Sequence, residues 1–180
     1  MKRSQFTVRH MVYCAISAAL ITICAWICVP VLQVSFTMQT FAVFFVLSLL
    51  GGRCGFLSVL LYLLLGAVGL PVFSGFQGGA GVLLGVTGGY IWGFLVAAFV
   101  YWIVTALFGE KLSIRLLASV LGMLLCYACG TAWYQTVYAN NSLWAVLGTC
   151  VLPYLLPDGM KIALALYLAG RIKKAIPKLL

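Results

Sequence analysis

Asp158 and Lys161 stand three residues apart in the run Pro157-Asp158-Gly159-Met160-Lys161, inside an otherwise apolar stretch. Side chains at i and i+3 share one face of a helix, so the two can pair. A charge inside a membrane-spanning segment costs a few kcal/mol on insertion scales, and such residues usually face a cavity or mark a substrate path. Two readings follow. The pair can neutralise itself as a structural element near the interface, with Lys161 snorkelling outward. Alternatively, in a dry pocket it offers both an acceptor and a donor to a polar small molecule. Pro157 and Gly159 suit the second reading, because they loosen the helix where backbone groups could also face a ligand.

Other reactive residue types form no comparable group. Cys126-x-x-Cys129 has redox or metal spacing, but it has no second pair and the lone His10 is remote in sequence. Small apolar packing residues are the better reading for the cysteines, and no disulfide framework or metal site is expected. Glu110 adjoins Lys111 and reads as a solvated surface acid. No acid–base or metal cluster accompanies Asp158, so the sequence gives an enzyme no machinery.

The elements that must hold the pair are membrane helices. With 65% hydrophobic and only 7% charged residues, the 180-residue chain lacks the polar side chains to cover a water-exposed surface. Apolar segments are predicted at 11–31, 39–50, 55–70, 88–108, 114–137 and 153–172, giving an all-α integral membrane protein of six transmembrane helices in one domain, 1–180. The second is short: its apolar run of residues 41–50 reaches only about half of a roughly 30 Å hydrocarbon core. The first is too long for a secretory signal and lacks a small-x-small cleavage site.

Lys2, Arg3, Arg9, Arg53, Lys111, Arg115, Arg171, Lys173, Lys174 and Lys178 all fall at segment ends or loops on one face of this arrangement. The intervening loops, 33–40, 71–88 and 138–149, contain no lysine or arginine. The positive-inside rule puts the basic face and both termini in the cytoplasm. The net charge of +9 is thus topogenic and suited to anionic headgroups, rather than a sign of nucleic-acid binding.

The uncharged outer side carries the remaining polar candidates. Gln33, Ser35, Thr37 and Gln39 alternate with apolar residues; Gln77 and Thr87 are the main polar side chains of the glycine-rich stretch. Gly81, Gly85, Gly89, Gly93 and Ala97 recur every four residues. This small-xxx-small pattern packs helices closely over 89–97, and the earlier glycines form a turned cap over the outer mouth. Tyr90, Trp133, Tyr134, Gln135 and Tyr138 lie at the same level, as an interfacial belt or as pocket lining. Trp26 and Trp144 read as belt. Ala15-x-x-x-Ala19 gives the first segment a small-residue face for packing or for docking another membrane subunit.

These residues resemble the substrate-binding S components of energy-coupling-factor (ECF) transporters, specifically the biotin-specific BioY family. The matching blocks are Thr37-Met38-Gln39-Thr40, Gly51-Gly52-Arg53-Cys54-Gly55, Gly66 to Phe73, Thr87-Gly88-Gly89-Tyr90 and Pro157 to Lys161, in order over nearly the whole chain. Ser35 and Val86 depart from it, standing where the family often has proline. The family uses an asparagine from the outer glycine-rich region, for which Gln77 stands in here. The resemblance implies extracellular capture and uptake of biotin, with Asp158, Lys161, Gln39, Gln77, Tyr90 and Trp133 as substrate-binding candidates. It implies docking through Ala15 and Ala19 to a transmembrane coupling subunit with two cytoplasmic ATPases, in a bacterial plasma membrane. Biotin is then cargo, no cofactor is expected, and ATP hydrolysis belongs to the partners. An S component for another vitamin, such as thiamine or riboflavin, and a structural membrane subunit are the competing readings.

Overall fold

The computed structural model describes residues 8–29, 35–137 and 142–176. Lys2, Arg3, Gln33, Tyr138, Lys178 and the predicted end of the first segment at 30–31 lie outside them. Among the described residues the chain is helical: α1 (Val8–Trp26), α2 (Gln39–Ala67), α3 (Ala80–Leu84), α4 (Gly88–Phe108), α5 (Leu112–Val137), α6 (Leu143–Cys150) and α7 (Leu152–Ala175). Four helices, α1, α2, α4 and α5, are long and apolar enough to cross a membrane; α6 and α7, bent by 41°, together make a fifth candidate. The side chains of Ile16, Leu107, Leu124 and Leu156 are exposed, an apolar outer surface that suits lipid and not water.

Helix α2 reverses direction within its own length. Gly51 takes φ +78°, ψ 168°, outside the helical region. Gln39 Nε2 donates to Tyr62 Oη at 2.9 Å, although 23 residues of straight helix would separate them by about 35 Å. The arms 39–50 and 52–67 are therefore antiparallel. Gly55 lies against Leu47 so closely that a Cβ on it would come within 2.8 Å of the Leu47 Cα. The sequence predicts a loop from 51 to 54 here, whereas the turn needs only the positive φ of Gly51.

Elsewhere the elements differ from expectation at their ends. α1 stops at Trp26, not 31, because the chain then enters a two-stranded antiparallel ribbon, β1 (Cys28–Val29) with β2 (Phe36–Thr37), paired Cys28 to Thr37 and Val29 to Phe36. The second arm of α2 stops at Ala67 rather than 70, ahead of Gly69 at φ +105°. The predicted loop 138–149 contains α6, whose N-cap Ser142 accepts a bond from the Ala145 amide at 3.3 Å.

The periodic glycines act as expected along α4. A Cβ on Gly93 would press on Cys126, and one on Gly122 would press on Ala97. That close approach joins α4 to α5. At the basic end Lys173 Nζ and Glu110 Oε2 pair at 2.7 Å, so Glu110 is a partner of α7 and not merely a solvated acid. Both side chains are substantially exposed, and the pair is worth at most about 1 kcal/mol. Arg115 reaches inward to donate to Ser48 Oγ at 2.9 Å.

Candidate functional site

A cavity opens in the half of the bundle away from the basic end. Thr37 of β2 and Ser35 just before that strand line it, α2 contributes Gln39 and Thr40, and the glycine-rich loop contributes Ser74 and Thr87. Tyr90, Ile91 and Phe94 line it from α4, and Met123, Cys126 and Tyr127 from α5. Cys150, Tyr154, Asp158 and Lys161 complete the wall. The lining is mixed: aromatic and thioether surface for an apolar body, with a few hydroxyl, amide and charged groups to orient it.

Asp158 and Lys161 are only 5% and 7% exposed, so both charges have left water and need partners within the protein. Pro157 begins the turn that carries them, inside α7. Lys161 Nζ donates to Asp158 Oδ1 at 2.8 Å and to the Thr37 backbone oxygen at 2.7 Å, and lies 3.7 Å from the centroid of the Phe36 ring. Tyr127 Oη donates to Asp158 Oδ2 at 2.7 Å. An ionised carboxylate has about four acceptor sites, and these bonds use two of them. Acceptor capacity therefore remains on a carboxylate at the cavity wall.

Tyr90 adds a second polar atom in need of a partner. Its hydroxyl is buried beside Thr131 and Cys150, and neither it nor Thr131 Oγ1 makes a well-formed hydrogen bond within the protein. Buried polar groups are nearly always satisfied, so an unpaired hydroxyl on a residue lining a cavity is poised for one. The Tyr90 ring lies against Gly130, where no side chain could fit beside it.

The structure thus brings together four of the sequence candidates, Asp158, Lys161, Gln39 and Tyr90. Gln77 is exposed, off this cavity, and bridges back to the Phe73 amide through its carbonyl at 2.9 Å. Trp133 also lies off it: its indole donates to the Gly85 oxygen at 3.0 Å and tethers the glycine-rich stretch. Trp26 is more than an interfacial belt residue, since its indole donates to the Pro71 oxygen at 2.8 Å. Ala15 and Ala19 lie exposed on α1 and add nothing to the core. Among the described residues no three His, Cys, Asp or Glu side chains gather to hold a metal ion.

Sequence reasoning missed Tyr127, Phe36 and Tyr154. A signal for Tyr127 was present: a phenol in mid-span must find a partner in a solvent that offers none, and Asp158 was the available acceptor. Phe36 had no such signal, because the ribbon that presents it is too short to show alternation.

Fold and cavity together describe a helical protein with at least four helices long and apolar enough to cross a membrane, and with a mixed polar and aromatic cavity in one half of the bundle. The chain belongs to the BioY family, whose sequence profile matches residues 1–178. It is 38% identical over 166 residues to the biotin transporter BioY of Thermotoga maritima, covering 92% of this chain and 96% of that one. It is 40% identical over 159 residues to a probable biotin transporter BioY of Pyrococcus horikoshii, covering 88% and 93%. Its fold superposes on the crystal structure of the S component for biotin from an ECF-type ABC transporter with TM-score 0.83 and 27% identity, over 97% of this chain and 95% of the other.

Proposed function

We propose that this protein is the biotin-capturing S component of an ECF-type importer. The observation that carries the reading is the buried Asp158–Lys161 pair, neutral overall, with acceptor capacity left on the carboxylate at the wall of a partly aromatic cavity. Biotin combines an apolar thiophane body and valeryl chain with a ureido ring and a carboxylate. Asp158 accepts from the ureido N–H groups, and Lys161 orients that carboxylate and contributes to the field felt by the ligand's own. Gln39 and Tyr90 supply an amide and a hydroxyl. Gln77 and Trp133 serve through the loop they hold and do not touch the ligand.

The whole chain, 1–180, acts as one domain with six spans: α1, the two arms of α2, α4, α5, and α7 with α6 bent against it. Support for counting α2 twice comes from the Gln39–Tyr62 bond across its arms. Arg53, Lys111 and Lys173 at one end favour a cytoplasmic basic face and cytoplasmic termini, with the cavity facing outward, in a bacterial plasma membrane. Ala15 and Ala19 dock a transmembrane coupling subunit, and two cytoplasmic ATPases supply the energy. The chain itself is a transport protein and not an enzyme.

Titration of the purified, detergent-solubilised protein with biotin tests this, beside Asp158→Asn. Saturable binding that is lost in the variant supports the reading. Tighter binding of thiamine or riboflavin would reassign the cargo, and equal binding by Asp158→Asn would return the pair to a structural role.

A further inference from the structure

The last turn of α1 grips the glycine-rich loop. Trp26 Nε1 donates to the Pro71 oxygen at 2.8 Å, and the Trp26 and Phe76 rings stack with centroids 4.9 Å apart at 29°. Phe76 has φ +58° and is the one non-glycine residue with positive φ among the described residues. That backbone region is unfavourable for a residue with a Cβ, and persists only where surrounding contacts hold it. The short 3₁₀ turn Ser74–Phe76 contains Ser74, which lines the cavity. On its inner side the loop is pinned by Phe73, whose ring lies on Gly66 and meets Tyr62 edge-on at 5.5 Å. Its outer side rests on Trp26.

We infer that Trp26 is a clasp: it holds the 71–77 loop against the cavity in a sprung conformation and sets the rate at which bound ligand leaves. Once Phe76 leaves the indole, its backbone relaxes toward negative φ and the turn bearing Ser74 withdraws from the wall. The clasp is a positioning device and Trp26 does not touch the ligand. It sits on the same rigid 19-residue helix that exposes Ala15 and Ala19, so a tilt of α1 at its other end pulls the indole from Phe76. The ligand-release part of this inference rests on the proposed biotin site; the grip on the loop does not.

The test uses the full-length protein with Trp26→Leu, Trp26→Phe and Phe76→Leu, and has two arms. In ligand-free protein, hydrogen exchange is followed at the Phe73 and Gly79 amides, which bond to Gln77 and Gly66 at 2.9 and 2.7 Å. Exchange there is expected to quicken by about tenfold in Trp26→Leu, from one lost stack and one lost hydrogen bond, while arm 52–67 stays protected. In the second arm, dissociation of labelled biotin quickens by a similar factor of about ten, with association changed far less. Trp26→Phe retains a stack and falls between. Unchanged loop exchange in Trp26→Leu and Phe76→Leu overturns the clasp, as does faster exchange spread over the arm as well. Faster loop exchange with unchanged biotin dissociation overturns its role in release. If the wild type binds no biotin, the proposed function fails, and the exchange arm alone decides the clasp.

Discussion

Tyr127 donates to Asp158 across α5 and α7 at 2.7 Å, so the carboxylate is held from the side opposite Lys161. A hydrogen bond to a charged group contributes about 1.5–3 kcal/mol. Tyr127→Phe keeps the ring's packing and removes only that donor. Calorimetric titration is expected to show biotin binding weakened by about tenfold or more, because Asp158 is no longer fixed in orientation. Undiminished affinity would mean Lys161 alone suffices to aim the carboxylate.

Breaking the buried pair should cost more than removing it. Asp158→Asn or Lys161→Met alone leaves an unpartnered buried charge, a loss of about 3–5 kcal/mol. The double variant leaves none, so its melting temperature should exceed that of Lys161→Met while its biotin binding stays abolished. A double-mutant cycle from thermal unfolding measures the coupling; strict additivity would show that the two charges do not see each other.

The hairpin turn offers a prediction free of any ligand. Gly51→Ala forces a Cβ into φ +78° and to 2.9 Å from Glu110 Oε1, and is expected to destabilise by roughly 1–3 kcal/mol. Denaturation in mixed micelles measures it. A neutral result would place the reversal at another residue.

Gly93→Val tests the α4–α5 contact in the same way. The added side chain meets Cys126 backbone and sulfur, about 2.8–3.0 Å from its Cβ, and overpacking of this kind costs about 1–3 kcal/mol. The smaller Gly148→Ala, where nothing lies within 4 Å, should leave the melting temperature unchanged.

The docking face separates binding from transport. Ala15→Trp and Ala19→Trp alter only exposed positions of α1, so biotin titration should match the wild type. Co-purification with the coupling subunit and uptake by cells should both fall sharply. Normal uptake by both variants would move the docking face off this helix.

How much of this the sequence could show depends on the range of each interaction. The Asp158–Lys161 contact is local, set by helical spacing, and was readable from five residues. The segregation of basic residues was readable because membrane orientation acts on whole loops. Gly93 and Ala97 announced close packing by their period. The partners of the pair were not readable, because Tyr127 and Thr37 reach it from 31 and 124 positions away. Nor was the ribbon, whose two-residue strands fall below the length at which alternation means anything. Trp133 lay at the right depth but turned toward Gly85, a choice of azimuth that hydropathy does not encode.

The oxygen that Lys161 grips on β2 belongs to the backbone of Thr37. Every amino acid carries that oxygen, so a substitution at position 37 can leave the grip whole while it removes the hydroxyl's 3.3 Å contact with the Gln39 amide and alters the cavity wall. Two duties thus fall on separate atoms of one residue: the backbone oxygen of Thr37 holds the lysine, and its side chain is left to meet what enters the cavity.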